Sequence, residues 1–449
     1  MTIKLNRDLS MNLDQPDRHR GFRGSLDRRG PHRGKIKTTT WRPSAILRER
    51  FQLEPRSALP LISRRDFSAL VAGLVALPVA GVAKFARATA AAQRPTSDPR
   101  IGVQTNVKTL YDRSIVIDCL ASPISFNVPW PPPGPLSKEQ LDNISISGVT
   151  AINATISDRS FETTVRNIAL MQGEVEAHPD RLLLVRATAD ISRAKQEGKL
   201  GLILGFQEGE MIGRDLSLLD VFHKLGVRII QPTYNVRNLL GDGCLEPGDA
   251  GLSDLGRHAV QRMNALGIAL DLSHCGTRTT ADGIAESKRP VLITHSGCRA
   301  VYEHPRNKAD RELRAMADRG GVLGVYLMPY LGNDGKPYAT KQMFLNHLRH
   351  ALDVCGEDHV GIGSDQSITP VVETPEYLKT WKEGGEIRKR LGFEAPDEAN
   401  RFPYMPEINS PRRLEIITSE VEKMGYGERV VEKLIGANFM RAFGEIWPR

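Results

Sequence analysis

The chain has 449 residues, 40% of them hydrophobic and 25% charged, a globular composition with ample material for a large core. Its formal charge of +8 is concentrated at one end: residues 1–90 hold 18 Lys/Arg against 7 Asp/Glu, leaving 43 basic and 46 acidic residues in the remainder. A mildly acidic body argues against nucleic-acid binding, and five cysteines with no CxxC pair argue against a zinc finger or a disulfide framework.

In chain order, residues 1–62 are rich in Arg and Pro and show no sustained periodicity, so they read as a disordered basic leader. Residues 63–92 read as a twin-arginine signal peptide. Ser63-Arg64-Arg65-Asp66-Phe67 precedes an uncharged stretch from Ser68 to Val82, and the small-residue run Ala86–Ala90 follows. The apolar stretch falls short of the ~20 residues that span a bilayer. The expectation is export by the twin-arginine machinery to the periplasm, with an uncleaved N-terminal anchor as the alternative.

Residues 93–449 alternate short apolar runs with amphipathic stretches. The runs are Ser114–Asp118, Val149–Ala154, Leu200–Phe206, Val227–Thr233, Ile268–Ser273, Pro290–Thr294, Gly321–Leu327 and Val360–Ser364. Nearly continuous apolar character is what strands buried on both faces require. Eight such βα units predict an α/β fold, a (β/α)8 TIM barrel with two C-terminal helices, Arg412–Met424 and Glu428–Phe443. An open, doubly wound sheet is the alternative. A proline-rich loop, Pro129–Pro135, follows the first run, and an insertion at about Thr369–Pro411 reads as an excursion near the C-terminal face.

Barrel chemistry gathers where strands end. The fifth run ends in His274 and the sixth in His295, close enough across neighbouring strands for two imidazoles to share a metal ion. Asp365 ends the eighth run, placed as metal ligand, proton carrier or simple N-cap. Arg306 and Asn307 follow the sixth run; the planar fork of an arginine suits a substrate carboxylate, and a surface ion pair is the bland alternative. Glu208, after the third run, is a carboxylate able to complete a metal site, while Tyr234 and Asn235, after the fourth, either contact substrate or pack the rim.

Several motifs in order, Gly226-Val-Arg-Ile-Ile-Gln-Pro-Thr-Tyr-Asn, Leu270-Asp-Leu-Ser-His, Ile293-Thr-His-Ser, His304-Pro-Arg-Asn, Gly361-Ile-Gly-Ser-Asp and Ile435-Gly-Ala-Asn-Phe, resemble the membrane dipeptidase (peptidase M19) family over roughly residues 110–445. The resemblance implies a barrel of the metal-dependent amidohydrolase type and zinc-activated water cleaving dipeptides. It further implies metal on His274 and His295, substrate carboxylate on Arg306, proton transfer by Asp365, and a homodimer. Against the family pattern, Leu120 and Ser122 stand where a His-x-Asp pair is expected, Gln207 where a bridging Glu is expected, and Tyr234 where a histidine is expected. Only a bulge would return Glu208 to the site. Two readings follow: a hydrolase with one zinc ion on His274, His295 and Glu208, acting on dipeptides or another small amide; or a non-hydrolytic homologue, a periplasmic small-molecule binding or maturation protein.

Overall fold

A computed structural model of the chain describes residues 110–124, 135–396 and 398–447. The leader, the signal-peptide reading and most of the proline-rich loop fall outside those residues.

Each of the eight apolar runs forms a strand: β1 (Ile117–Asp118), β3 (Ala151–Thr155), β5 (Leu200–Phe206), β6 (Val227–Ile230), β7 (Ala269–Leu270), β8 (Leu292–Ser296), β9 (Val322–Val325) and β10 (Val360–Ile362). Three short strands were not expected: β2 (Ala121–Ser122), β4 (Leu182–Leu184) and β11 (Gln366–Ser367). All pairings between these strands are parallel. One sheet runs β1-β3-β5-β6-β7 with β4 beside β5, a second runs β8-β9-β10, and β2 pairs with β11.

Two sets of bonds link the sheets. Asp271 bridges to Leu292, and Leu272 N–H donates to the Leu292 carbonyl at 2.8 Å, joining β7 to β8. At the other edge Cys119 N–H donates to the Ile362 carbonyl at 2.9 Å and Asp365 N–H to the Leu120 carbonyl at 2.8 Å, joining the ends of β1 and β10.

Burial explains why these segments are strands. All seven residues of β5 are buried, as a parallel strand covered on both faces demands. Each fully buried Leu or Ile there contributes about 1.5–3 kcal/mol relative to exposure. Between strands lie helices α1 (Lys138–Ser147), α2 (Phe161–Ala177), α3 (Thr188–Glu197), α4 (Leu218–Leu225), α5 (Asp254–Leu266), α6 (Thr277–Glu286), α7 (Asp310–Ala317) and α8 (Lys341–Cys355). Ser137, Ser160, Ser253 and Thr340 cap the starts of α1, α2, α5 and α8 by accepting backbone N–H bonds that would otherwise be unpaired. The insertion folds into α9 (Pro375–Arg390), which Thr374 caps. The chain closes with α10 (Arg413–Lys423), α11 (Glu428–Glu432) and α12 (Asn438–Ile446); the expected second terminal helix is interrupted between α11 and α12 by a π turn at Lys433–Ala437.

The backbones of two neighbouring strands approach closely at Thr294, in the middle of β8. A Cβ on Gly324 of β9 would sit 2.0 Å from the Thr294 carbonyl oxygen, and one on Gly363, just past β10, would sit 1.8 Å from it. Only glycine permits both backbones to approach the residue that precedes His295.

Candidate functional site

The site is built from the segment after β7 and the body of β8. Asp271 is wholly buried, and four donors converge on its carboxylate: Ser273 N–H (3.1 Å), Ser273 Oγ (2.6 Å) and Thr294 N–H (3.0 Å) on Oδ1, and Thr294 Oγ1 (2.6 Å) on Oδ2. Burial pushes the Asp271 carboxyl up, and these hydrogen bonds oppose that push. Ser273 and Thr294 are thereby locked, and with them the residues that follow each: His274 and His295.

The imidazoles inherit a defined tautomer. Thr294 Oγ1, its hydrogen given to Asp271, accepts from His295 Nδ1 at 2.8 Å. Asn235 Nδ2 donates to the Phe393 carbonyl (3.0 Å), which orients the amide so that Oδ1 accepts from His274 Nδ1 at 2.6 Å. Both Nε2 atoms therefore carry lone pairs, and they face one another at 2.9 Å. Burial, and then the Arg306 charge, hold both imidazoles well below the ordinary histidine range, so both are neutral.

Arg306 and Gln207 provide N–H groups to these lone pairs. Arg306 Nη2 lies 3.2 Å from His274 Nε2, and Gln207 Nε2 lies 3.5 Å from His295 Nε2. The Arg306 guanidinium is 1% exposed; Nη1 donates to the Ser273 carbonyl at 2.5 Å, Nη2 to the His295 carbonyl at 3.3 Å, and the Tyr326 ring lies 5.7 Å beneath it. Among the described residues no carboxylate lies within ion-pairing distance of Arg306. A buried cation without a counter-ion is costly unless a ligand supplies one.

The cavity over this cluster measures ≈ 110 Å³ and is lined by Gln207, Tyr234, Asn235, His274, Arg306 and Asp365, with Met328, Tyr330, Trp381, Arg388 and Glu398 completing its walls. Tyr234 stacks on His274 with ring centroids 4.1 Å apart. Asp365 adopts φ +59°, a left-handed conformation that few non-glycine residues take. Its N–H bond to Leu120 and the β11–β2 pairing that follows hold it there. Burial raises its carboxyl to about 7, against the opposing pull of Arg306.

Two predicted site residues lie elsewhere. Glu208 points away from the cavity to Arg159, whose Nε lies 3.7 Å from it and 3.4 Å from Glu210. The register irregularity between β5 and β6 falls at Leu204/Gly205, where Arg228 on β6 is skipped, and does not swing Glu208 inward. Burial raises the Glu208 carboxyl to about 7 as well. Asn307 is fully buried below the site, donating to the Tyr302 and Tyr330 carbonyls (both 2.9 Å) and accepting from Tyr326 OH (2.7 Å), so it shapes the Arg306 loop.

Sequence reasoning missed the roof. Trp381 and Arg388 of α9, with Glu398 behind them, cover the cavity; Arg388 pairs with Glu398 at 2.7 Å and lies 4.9 Å over the Trp381 ring. The insertion near the C-terminal face was the available signal, but nothing in its composition marked which side chains would turn inward.

Zinc is held by thiolate, imidazole and carboxylate donors, and a stable site needs at least three protein ligands. Here two imidazoles converge, the third neighbour is the neutral Gln207 amide, and a guanidinium lies against His274 Nε2. Among the described residues no three His, Cys, Asp or Glu side chains are grouped to hold a metal. This donor set does not fit a divalent ion.

Residues 137–382 match the family described as membrane dipeptidase (peptidase family M19). The chain is 30% identical over 220 residues to dipeptidase tcpJ of Claviceps purpurea, a match that covers 49% of this chain and about half, 52%, of that protein. It is 28% identical to dipeptidase verJ of Clonostachys rogersoniana, over 66% of this chain and 69% of that one. Among solved structures, an amidohydrolase from Pseudomonas aeruginosa superposes with a TM-score of 0.65 at 33% identity, covering 76% of this chain and 99% of the other.

Proposed function

This chain belongs to the membrane dipeptidase family, peptidase family M19, and on that premise we propose that it is a dipeptidase-type hydrolase acting on dipeptides or related small amides that carry a free carboxylate. The observation that carries the reading is Arg306: a buried guanidinium that has no carboxylate within ion-pairing distance among the described residues, at the wall of a cavity shared with Asp365. A substrate carboxylate supplies the missing counter-ion, and the fork of the arginine orients it. Tyr234 and Trp381 flank the remainder of the molecule, and the α9 roof limits its length.

Asp365 is the acid–base group. With its carboxyl near 7, it takes a proton from the attacking water and returns it to the leaving nitrogen. No step of this reading passes through a metal ion, because the residues present do not fit one; the expected zinc lacks its third ligand, Glu208.

The test is an amine-release screen of L,L- and L,D-dipeptides on the purified protein, paired with calorimetric binding. Turnover that falls in both Arg306→Lys and Asp365→Asn supports the reading, and undiminished turnover in either overturns it. A second reading, a binding or maturation protein that does not hydrolyse its ligand, is favoured by the amide and guanidinium at the imidazoles. Dipeptide binding without product formation would select it.

The links from β7 to β8 and from β10 to β1 support closure of the eight long strands into a (β/α)8 barrel, with the site at its C-terminal rim. Twin-arginine export to the periplasm rests on Ser63–Ala90 alone, and a homodimer on the family resemblance. Among the described residues no helix is long and apolar enough to cross a membrane.

A further inference from the structure

We infer that the position between His274 and His295 is served by the chain's own donors, Arg306 and Gln207, and that the site works without a divalent ion. Two neutral imidazoles with lone pairs 2.9 Å apart repel unless something donates between them. In metal sites of this chemistry a cation accepts both lone pairs instead, with Nδ1 held by an acceptor behind each ring. That outer layer is intact here: Asn235 behind His274, and Thr294 and Asp271 behind His295. What has changed is the donor in front. Arg306 Nη2 addresses one lone pair and Gln207 Nε2 the other.

Gln207 is the residue on which the outcome turns. Its side-chain NH2 is a donor where a carboxylate oxygen would be an acceptor, so it satisfies His295 and cannot neutralise a cation. The remaining charge in the cluster is the buried Arg306 guanidinium, which electrostatically opposes a second cation. Leu120, 2% exposed, and Ser122, whose Oγ accepts from Ile124 N–H at 3.2 Å, provide no carboxylate from the β1 side. Of the two acids near the rim, Glu208 is held by Arg159, and Asp365, which shares the cavity, is not grouped with the two imidazoles as a third ligand among the described residues.

The experiment uses the full folded protein equilibrated with excess zinc and then desalted. Metal content is read by elemental mass spectrometry for the wild type, His274→Ala, Gln207→Glu and the Gln207→Glu/His274→Ala double variant. The wild type is expected to retain below about 0.1 zinc per chain and Gln207→Glu about one, lost again in the double variant. Stoichiometric zinc in the wild type that His274→Ala removes would overturn the inference. Should Gln207→Glu not fold, ¹⁵N spectra of histidine-labelled wild type decide: ring shifts unmoved by zinc support the inference, and two shifted rings overturn it. A zinc-loaded protein that hydrolyses dipeptides sinks this inference alone. A metal-free protein that binds no dipeptide sinks the proposed function alone.

Discussion

The rim beyond β7 and β8 and the rim beyond β1 and β5 contrast sharply. Beyond β7 and β8 every polar atom of Asp271, Ser273, Thr294, His274 and His295 that bears on the site has a partner, and the residues are buried. Beyond β1 and β5 the positions that carry ligands in the family pattern hold Leu120, Ser122 and Gln207. The difference teaches that a polar cluster persists as a unit. The imidazoles keep their orientation because Asp271 fixes the hydroxyls behind them, whether or not a metal stands in front.

Three substitutions and a pH profile sharpen or break this contrast. Asp365→Asn removes the proton carrier and should lower kcat by about 10²–10⁴-fold with KM little changed; steady-state kinetics decide, and a rate within threefold of wild type would remove Asp365 from the chemistry. Leu120→Ala, on the apolar side, should cost about 2–5 kcal/mol of stability by opening a cavity, with dipeptide affinity unmoved. Denaturant titration and calorimetry separate the two, and lost affinity at full stability would place Leu120 in the ligand site instead. Arg306→Lys keeps the charge but loses the planar fork, and should weaken a carboxylate-bearing ligand by about 1.5–3 kcal/mol, roughly 10- to 150-fold. Equal weakening of an amidated dipeptide would show that Arg306 does not read the carboxylate.

The smallest effect is the pH profile. Asp365 has its carboxyl raised from 3.8 to about 7. A raised acid favours folding most when protonated, so its contribution is full below the ordinary carboxylate value and is lost as pH rises through about 7. The wild type should therefore lose more Tm than Asp365→Asn between pH 5 and pH 8. Activity should run the other way, rising through about pH 7 as the carboxylate forms. Parallel profiles for the two proteins would assign the rise elsewhere; Glu208, also raised to about 7, is then the next to substitute.

The eight strands were legible in the sequence because buried parallel strands are apolar on both faces and leave a simple signature. The short strands β2, β4 and β11 were not, since two or three residues carry no period. His274, His295, Arg306 and Asp365 were legible as polar residues at strand ends. Gln207 was visible as a departure from the family pattern, yet its contact with His295 depends on rotamer and register. Asn307, adjacent to Arg306 in sequence, turns into the core while Arg306 faces the cavity, and nothing in the loop's sequence signals that divergence. Trp381, Arg388 and Glu398 reach the site from a segment whose amphipathic pattern says helix and gives no sign of what that helix covers.

The bond from Ser364 to Asp118 joins residues 246 apart: Ser364 N–H donates to Asp118 Oδ1 at 2.7 Å and Ser364 Oγ to Oδ2 at 2.5 Å. Until the chain beyond Ser364 has been made, Asp118 has no donor of this kind, and its carboxylate resists burial; burial in the finished fold already raises it to about 6. The two ends of the strand series are thus tied by contacts of very long sequence separation, whose loop-closure cost falls late in folding. A nascent chain cut short of β10 would keep the β1–β3 pairing but leave the other edge of its first strand unpaired, so that edge closes only once the chain has been made past Asp365.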